Sequence, residues 1–265
     1  MLGNALMREF SADRPIGWGM MDMDITDEKR LTEKIQQLRP NVILNAAAYT
    51  DVDRCETAES LASRVNGTAV GYLAKAAKTV GAVLVHFSTD YVFDGQKKDG
   101  YAESDQTGPI NAYGRGKLLG EQMLVQFSKK YYLIRTSWLF GPGGKNFVET
   151  ILTNMRNKNT LTVVDDQFGK PTYTPDLALQ TRFLLENKKE FGIYHITNET
   201  PKNKVSWFEF AQDIADIAGL DSKIESTTSD DYKRPAKRPR FSILQNTKLP
   251  KLRDYRLALK DYVRK

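Results

Sequence analysis

A tyrosine and a lysine four residues apart, in the segment Tyr113-Gly114-Arg115-Gly116-Lys117, are the sharpest chemical feature of the sequence. On a helix, side chains four positions apart share a face, so the phenol of Tyr113 and the ammonium of Lys117 would point the same way. A nearby ammonium favours the phenolate and lowers the pKa of a tyrosine, which makes it a better proton donor to a developing alkoxide. The same lysine could bind a ribose hydroxyl. The spacing is common by chance, so it indicates such a site only together with other residues.

Two more segments place polar or small residues where apolar runs end. Ser88-Thr89-Asp90-Tyr91 follows the run that starts at Ala82, and Thr89 stands 24 residues before Tyr113. In an open α/β sheet the carboxyl end of a strand faces the site, so a hydroxyl there could hold a substrate carbonyl beside the tyrosine. Strand termination and turn capping would need the same residue types. Asn45-Ala46-Ala47-Ala48-Tyr49-Thr50 would let a flat ligand approach the backbone, or would simply pack closely.

These three segments can form one site only if strands and helices bring them together, and the pattern of apolar residues predicts such strands and helices. Buried strands alternate with helices, which is typical of a parallel α/β sheet with its site at the carboxyl ends of the strands. Strands are predicted at 41–48, 82–88, 131–136 and 193–196. Helices are predicted at 57–79 (with a possible break at Asn66-Gly67), 111–128, 146–157, 175–186 and 206–218. We expect a Rossmann-like, doubly wound dinucleotide-binding domain over residues 1–142. Residues 143–265 are expected to form mainly a smaller substrate-binding lobe and partly to complete the sheet.

The composition argues against a membrane-spanning, disulfide-bonded or histidine-rich metal-binding protein. The 265 residues contain no apolar run long enough to span a membrane. One cysteine, Cys55, excludes an intrachain disulfide and suits a reducing cytoplasm. His86 and His195 are expected to be core residues, because two histidines cannot make a histidine-rich metal site. The net charge is +6, partly concentrated at 233–240. That run lacks the interleaved aromatic residues of a nucleic-acid platform, which leaves a solvated loop or a phosphate clamp.

Taken together, the motifs resemble the extended short-chain dehydrogenase family. The resemblance covers essentially the whole chain and includes, beyond the segments above, Arg135-Thr136-Ser137-Trp138, Asp166-Gln167-Phe168-Gly169-Lys170-Pro171-Thr172 and Arg238-Pro239-Arg240-Phe241-Ser242. It implies a reductase that uses NADPH or NADH to convert the C4 ketone of a dTDP-linked deoxysugar into an alcohol. No arginine lies near Trp18–Asp22 to favour a 2′-phosphate, which favours NADH or dual use. A monomer or homodimer is expected.

The resemblance also implies roles for individual residues. Tyr113 is the general acid, Lys117 lowers its pKa and binds the nicotinamide ribose, and Thr89 orients the ketone. The implied cofactor contacts, besides Tyr113 and Lys117, are Leu2, Gly3, Asp24, Ile25, Ala46, Ala47, Ala48, Thr50 and Phe87. The implied substrate contacts, besides Thr89 and Tyr113, are Val52, Asp90, Tyr91, Trp138 as a stacking surface, and Arg238 on the pyrophosphate. Without the resemblance, Asp24 would be assigned to a helix start.

The sequence departs from the family pattern at its first residues. The family opens with a strand and a Gly-x-x-Gly-x-x-Gly turn, whereas Met1-Leu2-Gly3 supplies only the last glycine. Removing a central strand would leave unpaired backbone groups on its neighbours. We therefore expect the natural chain to begin upstream of Met1, and the present chain to bind cofactor poorly or fold incompletely. Some family members bridge a metal with a glutamate two positions after that glycine, but Ala5 stands there, so no metal site is predicted.

Three alternatives remain open at this stage. The first is another nucleotide-sugar enzyme, an epimerase or dehydratase, although a dehydratase would need a second acidic residue beside Asp90. The second is a non-catalytic binding subunit similar to the regulatory β subunit of methionine adenosyltransferase, against which the intact Thr89, Tyr113 and Lys117 argue. The third is a truncated, inactive product.

Overall fold

The computed structural model describes residues 1–157, 160–221 and 223–264. Ten strands follow one another along these residues: β1 Val42–Asn45, β2 Val83–Thr89, β3 Tyr131–Thr136, β4 Leu139–Phe140, β5 Thr160–Val164, β6 Phe168–Gly169, β7 Thr172–Tyr173, β8 Gly192–His195, β9 Val205–Ser206 and β10 Lys223–Thr227. β1, β2, β3 and β8 form a parallel sheet in that order, and the others pair two by two. The predicted parallel α/β fold is confirmed.

The described residues also form ten α-helices: α1 Leu2–Glu9, α2 Glu28–Leu38, α3 Val52–Thr57, α4 Glu59–Ser63, α5 Ala69–Val80, α6 Ala112–Phe127, α7 Phe147–Asn157, α8 Thr174–Glu186, α9 Trp207–Ala218 and α10 Tyr255–Val263. Apolar clusters cover both faces of the sheet, because successive strand residues point to opposite sides. Leu84 and Leu133 face one cluster, and Val85 and Ile134 face the other. Among the described residues, no helix combines the length and hydrophobicity needed to span a membrane.

The C-terminal half contributes to the sheet and also has a core of its own. β8 supplies the fourth strand, as expected for residues that partly complete the sheet. A separate cluster is built around Phe140, Val148, Phe210 and Tyr255, all fully buried. The domain boundary at residue 142 stays a prediction.

The first strand of the sheet corrects one prediction. A buried strand over 41–48 is wrong, since β1 ends at Asn45 and its first residue, Val42, is 37% exposed. The physical reason is its position: among the described residues, β1 lies at one edge of the four-stranded sheet and pairs with β2 alone. Residues Ala46–Thr50 continue beyond the strand as irregular backbone at the carboxyl edge of the sheet.

The long helix predicted over 57–79 is divided, as its Asn66-Gly67 pair indicated. A π-helical turn, Arg64–Thr68, lies between α4 and α5. A Cβ atom at Gly67 would come within 2.5 Å of Leu119 on α6, so the glycine permits a close helix crossing. The buried amide of Asn66 also binds both the N–H and the carbonyl of Tyr49, at 2.8 and 2.9 Å. The turn thereby fixes the segment that follows β1.

Candidate active site

Tyr113 lies in the first turn of α6, which packs against the backbone just after β2. The Asn111 side chain caps the helix by accepting a hydrogen bond from the Gly114 N–H at 2.8 Å. A Cβ atom at Gly114 would lie 2.2 Å from the Tyr91 carbonyl oxygen, so only glycine allows this approach. As a result the rings of Tyr113 and Tyr91 meet edge to face, with centroids 5.9 Å apart. The glycine in the Tyr-x-x-x-Lys segment therefore positions the tyrosine.

Thr89, the last residue of β2, lies near the Tyr113 phenol. Burial nevertheless raises the pKa of Tyr113 well above its ordinary value, and the Thr89 hydroxyl opposes only part of this. Removal of the phenol from water is the largest effect on this pKa. The lowering of the pKa by Lys117 stays a prediction.

Lys117 lies one helical turn after Tyr113, with its side chain buried. Its Nζ donates to the Phe87 carbonyl oxygen at 2.6 Å and lies 3.4 Å from His86 Nε2. Burial lowers the pKa of Lys117 to about 8, partly offset by the carboxylate of Glu121. His86 is a core residue, as predicted, and its Nδ1 contacts the Asn45 amide at 3.0 Å. The lysine is therefore anchored where β1 and β2 end.

A buried ion pair beneath the lysine was not predicted from the sequence. Arg135 on β3 binds Glu121 on α6 through both carboxylate oxygens, with the shortest contact at 2.7 Å and each side chain only 4% exposed. The Ser88 hydroxyl donates to the same carboxylate at 2.5 Å. This network joins β2, β3 and α6 and thus fixes the helix that carries Tyr113 and Lys117.

Asp90 is the most perturbed carboxyl group of the site. It is 3% exposed, its Oδ1 accepts a hydrogen bond from Thr89 at 2.9 Å, and its Oδ2 has no partner within the described part of the chain. Burial raises the pKa of Asp90 to about 7, against the smaller opposing effect of nearby hydroxyl groups. At neutral pH Asp90 is therefore a mixture of acid and carboxylate, unlike an ordinary surface aspartate.

We expect Asp90→Asn to stabilise the protein at pH 8 by up to about 4 kcal/mol, and by less at pH 5. Because the pKa is raised on folding, from an ordinary 3.8 to about 7, the folded state binds the proton more tightly than the unfolded state. Stability from this group is thus lost as pH rises from about 4 to 7. Asparagine cannot ionise, so the free energy of unfolding of the variant does not fall in this way as pH rises. Urea unfolding at both pH values checks this, and a difference in unfolding free energy that is the same at pH 5 and pH 8 would contradict it.

Arg238, the predicted pyrophosphate ligand, lies near Tyr91. Its Nη1 also donates to Asp53 at 2.5 Å and to the Ala236 carbonyl at 2.6 Å. This bond to Arg238 is the main reason that the pKa of Asp53 is lowered to about 2. The structure therefore brings Arg238 to the predicted substrate residues and presents it already paired with a carboxylate.

Trp138 follows β3 in an unusual backbone conformation, with φ of 48°. Its ring stacks on Trp207 with centroids 3.5 Å apart. A Cβ atom at Gly169 would lie 2.6 Å from the ring, so that glycine makes room for it. One face of the predicted stacking surface is thus covered by Trp207, which the sequence did not single out. A positive φ in a bulky residue marks local strain of the kind found at functional sites.

The predicted cofactor residues lie in two places: at the ends of β1 and β2, and near the start of the chain in α1 and the turn at Asp24 and Ile25. Ala46, Ala47, Ala48 and Thr50 follow β1 as irregular backbone in which Ala47 and Thr50 are exposed. Val52 begins α3 just beyond them. Phe87 contributes the carbonyl that holds Lys117. At the start of α1 the side chain of Leu2 is buried, whereas a Cβ atom at Gly3 would meet open space. Asp24 is exposed and accepts hydrogen bonds from Thr26, next to half-buried Ile25 in a turn.

These residues fit the nicotinamide-ribose side of a dinucleotide. The alanine run leaves the sheet edge free of bulky side chains beside Lys117, a donor suited to ribose hydroxyls. Gly3 leaves the first turn of α1 accessible, where free backbone N–H groups suit a phosphate.

Comparison with known proteins gives a consistent picture. The family profile described as the RmlD substrate binding domain matches residues 1–265. A dTDP-4-dehydrorhamnose reductase of Aggregatibacter actinomycetemcomitans is 41% identical over 239 residues, 86% of this chain and 80% of that protein. The spore coat polysaccharide biosynthesis protein SpsK of Bacillus subtilis is 38% identical over 245 residues, covering 91% and 85%. The crystal structure of dTDP-4-dehydrorhamnose reductase from Bacillus anthracis, in complex with NADP, superposes with a TM-score of 0.94 at 34% identity, covering 98% and 94%.

Proposed function

The chain belongs to the RmlD substrate-binding-domain family, and from this premise we propose that it reduces the C4 ketone of dTDP-4-dehydro-L-rhamnose to give dTDP-L-rhamnose. The observation that carries the proposal is the placement of Thr89 at the end of β2 and of Tyr113 in the first turn of α6, one helical turn before the anchored ammonium of Lys117. A hydroxyl and a phenol placed in this way can both bond one carbonyl oxygen. The reaction is an NAD(P)H-dependent reduction, which is supported by the Bacillus anthracis reductase in complex with NADP.

Each residue of the proposed triad has a separate task. Thr89 orients the ketone oxygen toward the phenol, and Tyr113 donates its proton to that oxygen as negative charge develops there. The reduced nicotinamide, when bound, supplies the hydride to the carbon. Lys117 is held by the Phe87 carbonyl within reach of the sheet edge, where its ammonium binds the nicotinamide ribose. Ala46, Ala47, Ala48 and Thr50 leave space for the same cofactor, and Gly3 for its phosphates.

The substrate residues surround the end of β2. Asp90 and Tyr91 directly follow Thr89, and Arg238 reaches them from the 233–240 segment. The guanidinium suits the pyrophosphate, because its donors match phosphate oxygens in pairs. Val52 and Trp138 complete the proposed contacts with the nucleotide and sugar.

Arg238→Gln is expected to raise the KM for the dTDP-sugar about tenfold or more and to change kcat little, since the pyrophosphate is remote from the reacting carbon. Arg234→Gln is the matched control, because Arg234 also contacts Asp53 but is 48% exposed. Initial rates over a range of sugar concentrations give both constants. Equal KM values for the two variants would show that Arg238 only pairs with Asp53.

We further propose that the enzyme acts in the cytoplasm, as a monomer or a homodimer, and binds no nucleic acid. The single cysteine, Cys55, is buried and supports a location that does not depend on disulfides. Two arginines of the basic run, Arg234 and Arg238, are paired with Asp53, which supports a local role for that run.

The assay that tests the function measures oxidation of NADPH and of NADH with dTDP-4-dehydro-L-rhamnose, with dTDP-glucose as the control sugar. Ketone-dependent oxidation is expected only with the first sugar. The same assay ranks the two cofactors. An absence of oxidation, together with binding of the sugar, would favour a non-catalytic binding subunit.

A further inference from the structure

The basic segment, residues 233–240, is anchored near both of its ends on the C-terminal half of the chain. Just before it, the N–H and the hydroxyl of Ser229 donate to the Asp166 carboxylate, with the shortest contact at 2.7 Å. At its end, the Phe168 N–H donates to the Arg240 carbonyl oxygen at 2.7 Å. The backbone on either side of Arg238 is therefore fixed.

The middle of the basic segment is bound by α3 and α6. Oδ1 of Asp53, on α3, accepts hydrogen bonds from Arg238 Nη1 at 2.5 Å and from the Ala236 N–H at 3.1 Å. Asn111, which caps α6, donates through its amide to the Lys237 carbonyl oxygen at 2.9 Å. Ala236 is 2% exposed as a result. The segment thus reaches from the C-terminal half to the two helices beside the proposed site.

Helix α3 is in turn tied to the helix that carries the proposed general acid. Glu56, three residues after Asp53, accepts a hydrogen bond from the Ala112 N–H at 2.8 Å, and Ala112 directly precedes Tyr113 on α6. The cap of α3 is supplied by Asp51, whose side chain accepts a backbone N–H of the first turn. The Asp53 carboxylate is therefore available to the basic segment, and it connects Arg238 to the start of α6.

The charge of the basic segment explains why an acidic partner matters. Its eight residues include five basic side chains and no acidic one, and like charges repel one another. Asp53 contacts two of these side chains, Arg234 at 48% exposure and Arg238 at 14%. Arg238 uses Nη1 for its bonds to Asp53 and to the Ala236 carbonyl oxygen. A guanidinium has five N–H donors, so others are left for a phosphate.

We propose that Asp53 is a positioning residue that holds the Arg238 guanidinium at a fixed place relative to Tyr113, an inference that rests on the proposed reductase function. The pyrophosphate of a nucleotide sugar is attached to C1, across the ring from C4. A pyrophosphate bound by a fixed guanidinium therefore places the C4 ketone at the phenol. Because the arginine side chain is already ordered before substrate binds, less conformational entropy is lost on binding.

Asp53→Ala is expected to raise the KM for the dTDP-sugar about fivefold, because the released arginine must be immobilised again by the substrate. The kcat and the KM for NADPH are expected to change little. Asp53→Asn keeps the shape and an acceptor for the Ala236 N–H, so a smaller increase is expected, and it serves the same comparison if Asp53→Ala does not fold. Glu59→Ala is the matched control, since it frees Arg115 from a 2.7 Å ion pair outside the basic segment.

Two further measurements show whether Asp53 acts through Arg238. Calorimetry is expected to show that Asp53→Ala binds dTDP about fivefold more weakly and binds thymidine, which lacks the pyrophosphate, as the wild type does. In the Arg238→Gln background, Asp53→Ala is expected to raise the KM no further, because the two residues act as one unit. A loss of shape alone would weaken thymidine and dTDP together.

Four results would overturn the proposal. A lower KM in Asp53→Ala would show that Asp53 competes with the pyrophosphate for Arg238, and an unchanged KM would show that Arg238 needs no partner. Multiplying effects in the double variant would show that Asp53 acts by another route. Equal weakening of dTDP and thymidine would show a general change of the site. If the wild-type protein bound dTDP but oxidised no cofactor with the ketone, the reductase function would fail, while dTDP binding would still decide the role of Asp53.

Discussion

Tyr113→Phe is expected to reduce kcat for the ketosugar by about 10²–10⁴-fold while the KM changes little. Phenylalanine preserves the ring that meets Tyr91 edge to face, so the packing of the site should survive. The substitution removes the phenol proton that Tyr113 would donate to the ketone oxygen, which Thr89 orients. Because the alkoxide forms only in the transition state, the loss falls on kcat. Steady-state kinetics with saturating cofactor measure both constants.

Tyr72→Phe is the control for that experiment, since it removes a phenol from α5, outside the proposed site. It is expected to have wild-type kinetics. Thermal unfolding of both variants should give similar midpoints. A kcat for Tyr113→Phe within tenfold of wild type would contradict its role as the general acid, because water cannot replace a positioned phenol in a buried site at that rate.

Arg135→Met is expected to lower the free energy of unfolding by about 3–5 kcal/mol. Removing the guanidinium leaves the buried carboxylate of Glu121 with the Ser88 hydroxyl as its one remaining hydrogen-bond partner in the described part of the chain. Contact of Arg135 with the face of Phe93, 5.0 Å from the ring centroid, is lost as well. Urea denaturation monitored by circular dichroism measures the change.

Two comparisons make this result specific to a buried charge. Arg115→Met breaks an ion pair with Glu59 in which both side chains are nearly half exposed, and it is expected to lose no more than about 1 kcal/mol. Glu121→Leu combined with Arg135→Met removes both charges and is expected to recover much of the loss. If Arg135→Met proved no more damaging than Arg115→Met, the network would not be what fixes α6 on the sheet.

The sequence predicted the elements that depend on local pattern. The apolar run at 131–136 is β3 residue for residue, and α6 begins one residue after the predicted start. The Asn66-Gly67 pair, where a break in the predicted helix was expected, lies in the π-helical turn. The family resemblance correctly implied the parallel sheet and the class of relatives.

Other features depend on contacts that no local pattern records. Arg238 and Asp53 are 185 positions apart in the chain, so their pairing could not be predicted. The extent of β1 was overestimated because an apolar run cannot show that a strand lies at a sheet edge. Helical spacing gave the face of α6 that Tyr113 shares with Lys117, but it could not show that burial raises the pKa of Tyr113 or that the Phe87 carbonyl binds the lysine.

Glu121 and Arg135 could have been found with a stricter argument. Glu121 follows Lys117 by four residues and so shares its face of α6. Arg135 stands in an otherwise apolar strand, where a buried charge needs a charged partner. These two observations together predict an ion pair between α6 and the sheet beneath the catalytic lysine. The geometry of the pair, with Ser88 as a third member, required the structure.

The most direct test of the central claim is transfer of deuterium from C4-deuterated NADPH to the sugar. Wild-type protein is incubated with the deuterated cofactor and dTDP-4-dehydro-L-rhamnose, and the product is examined by NMR and mass spectrometry. The account predicts dTDP-L-rhamnose with one deuterium at C4, and no such product from Tyr113→Phe on the same timescale. A recovered ketosugar without deuterium, or deuterium at another carbon, would contradict reduction of the C4 ketone by this chain.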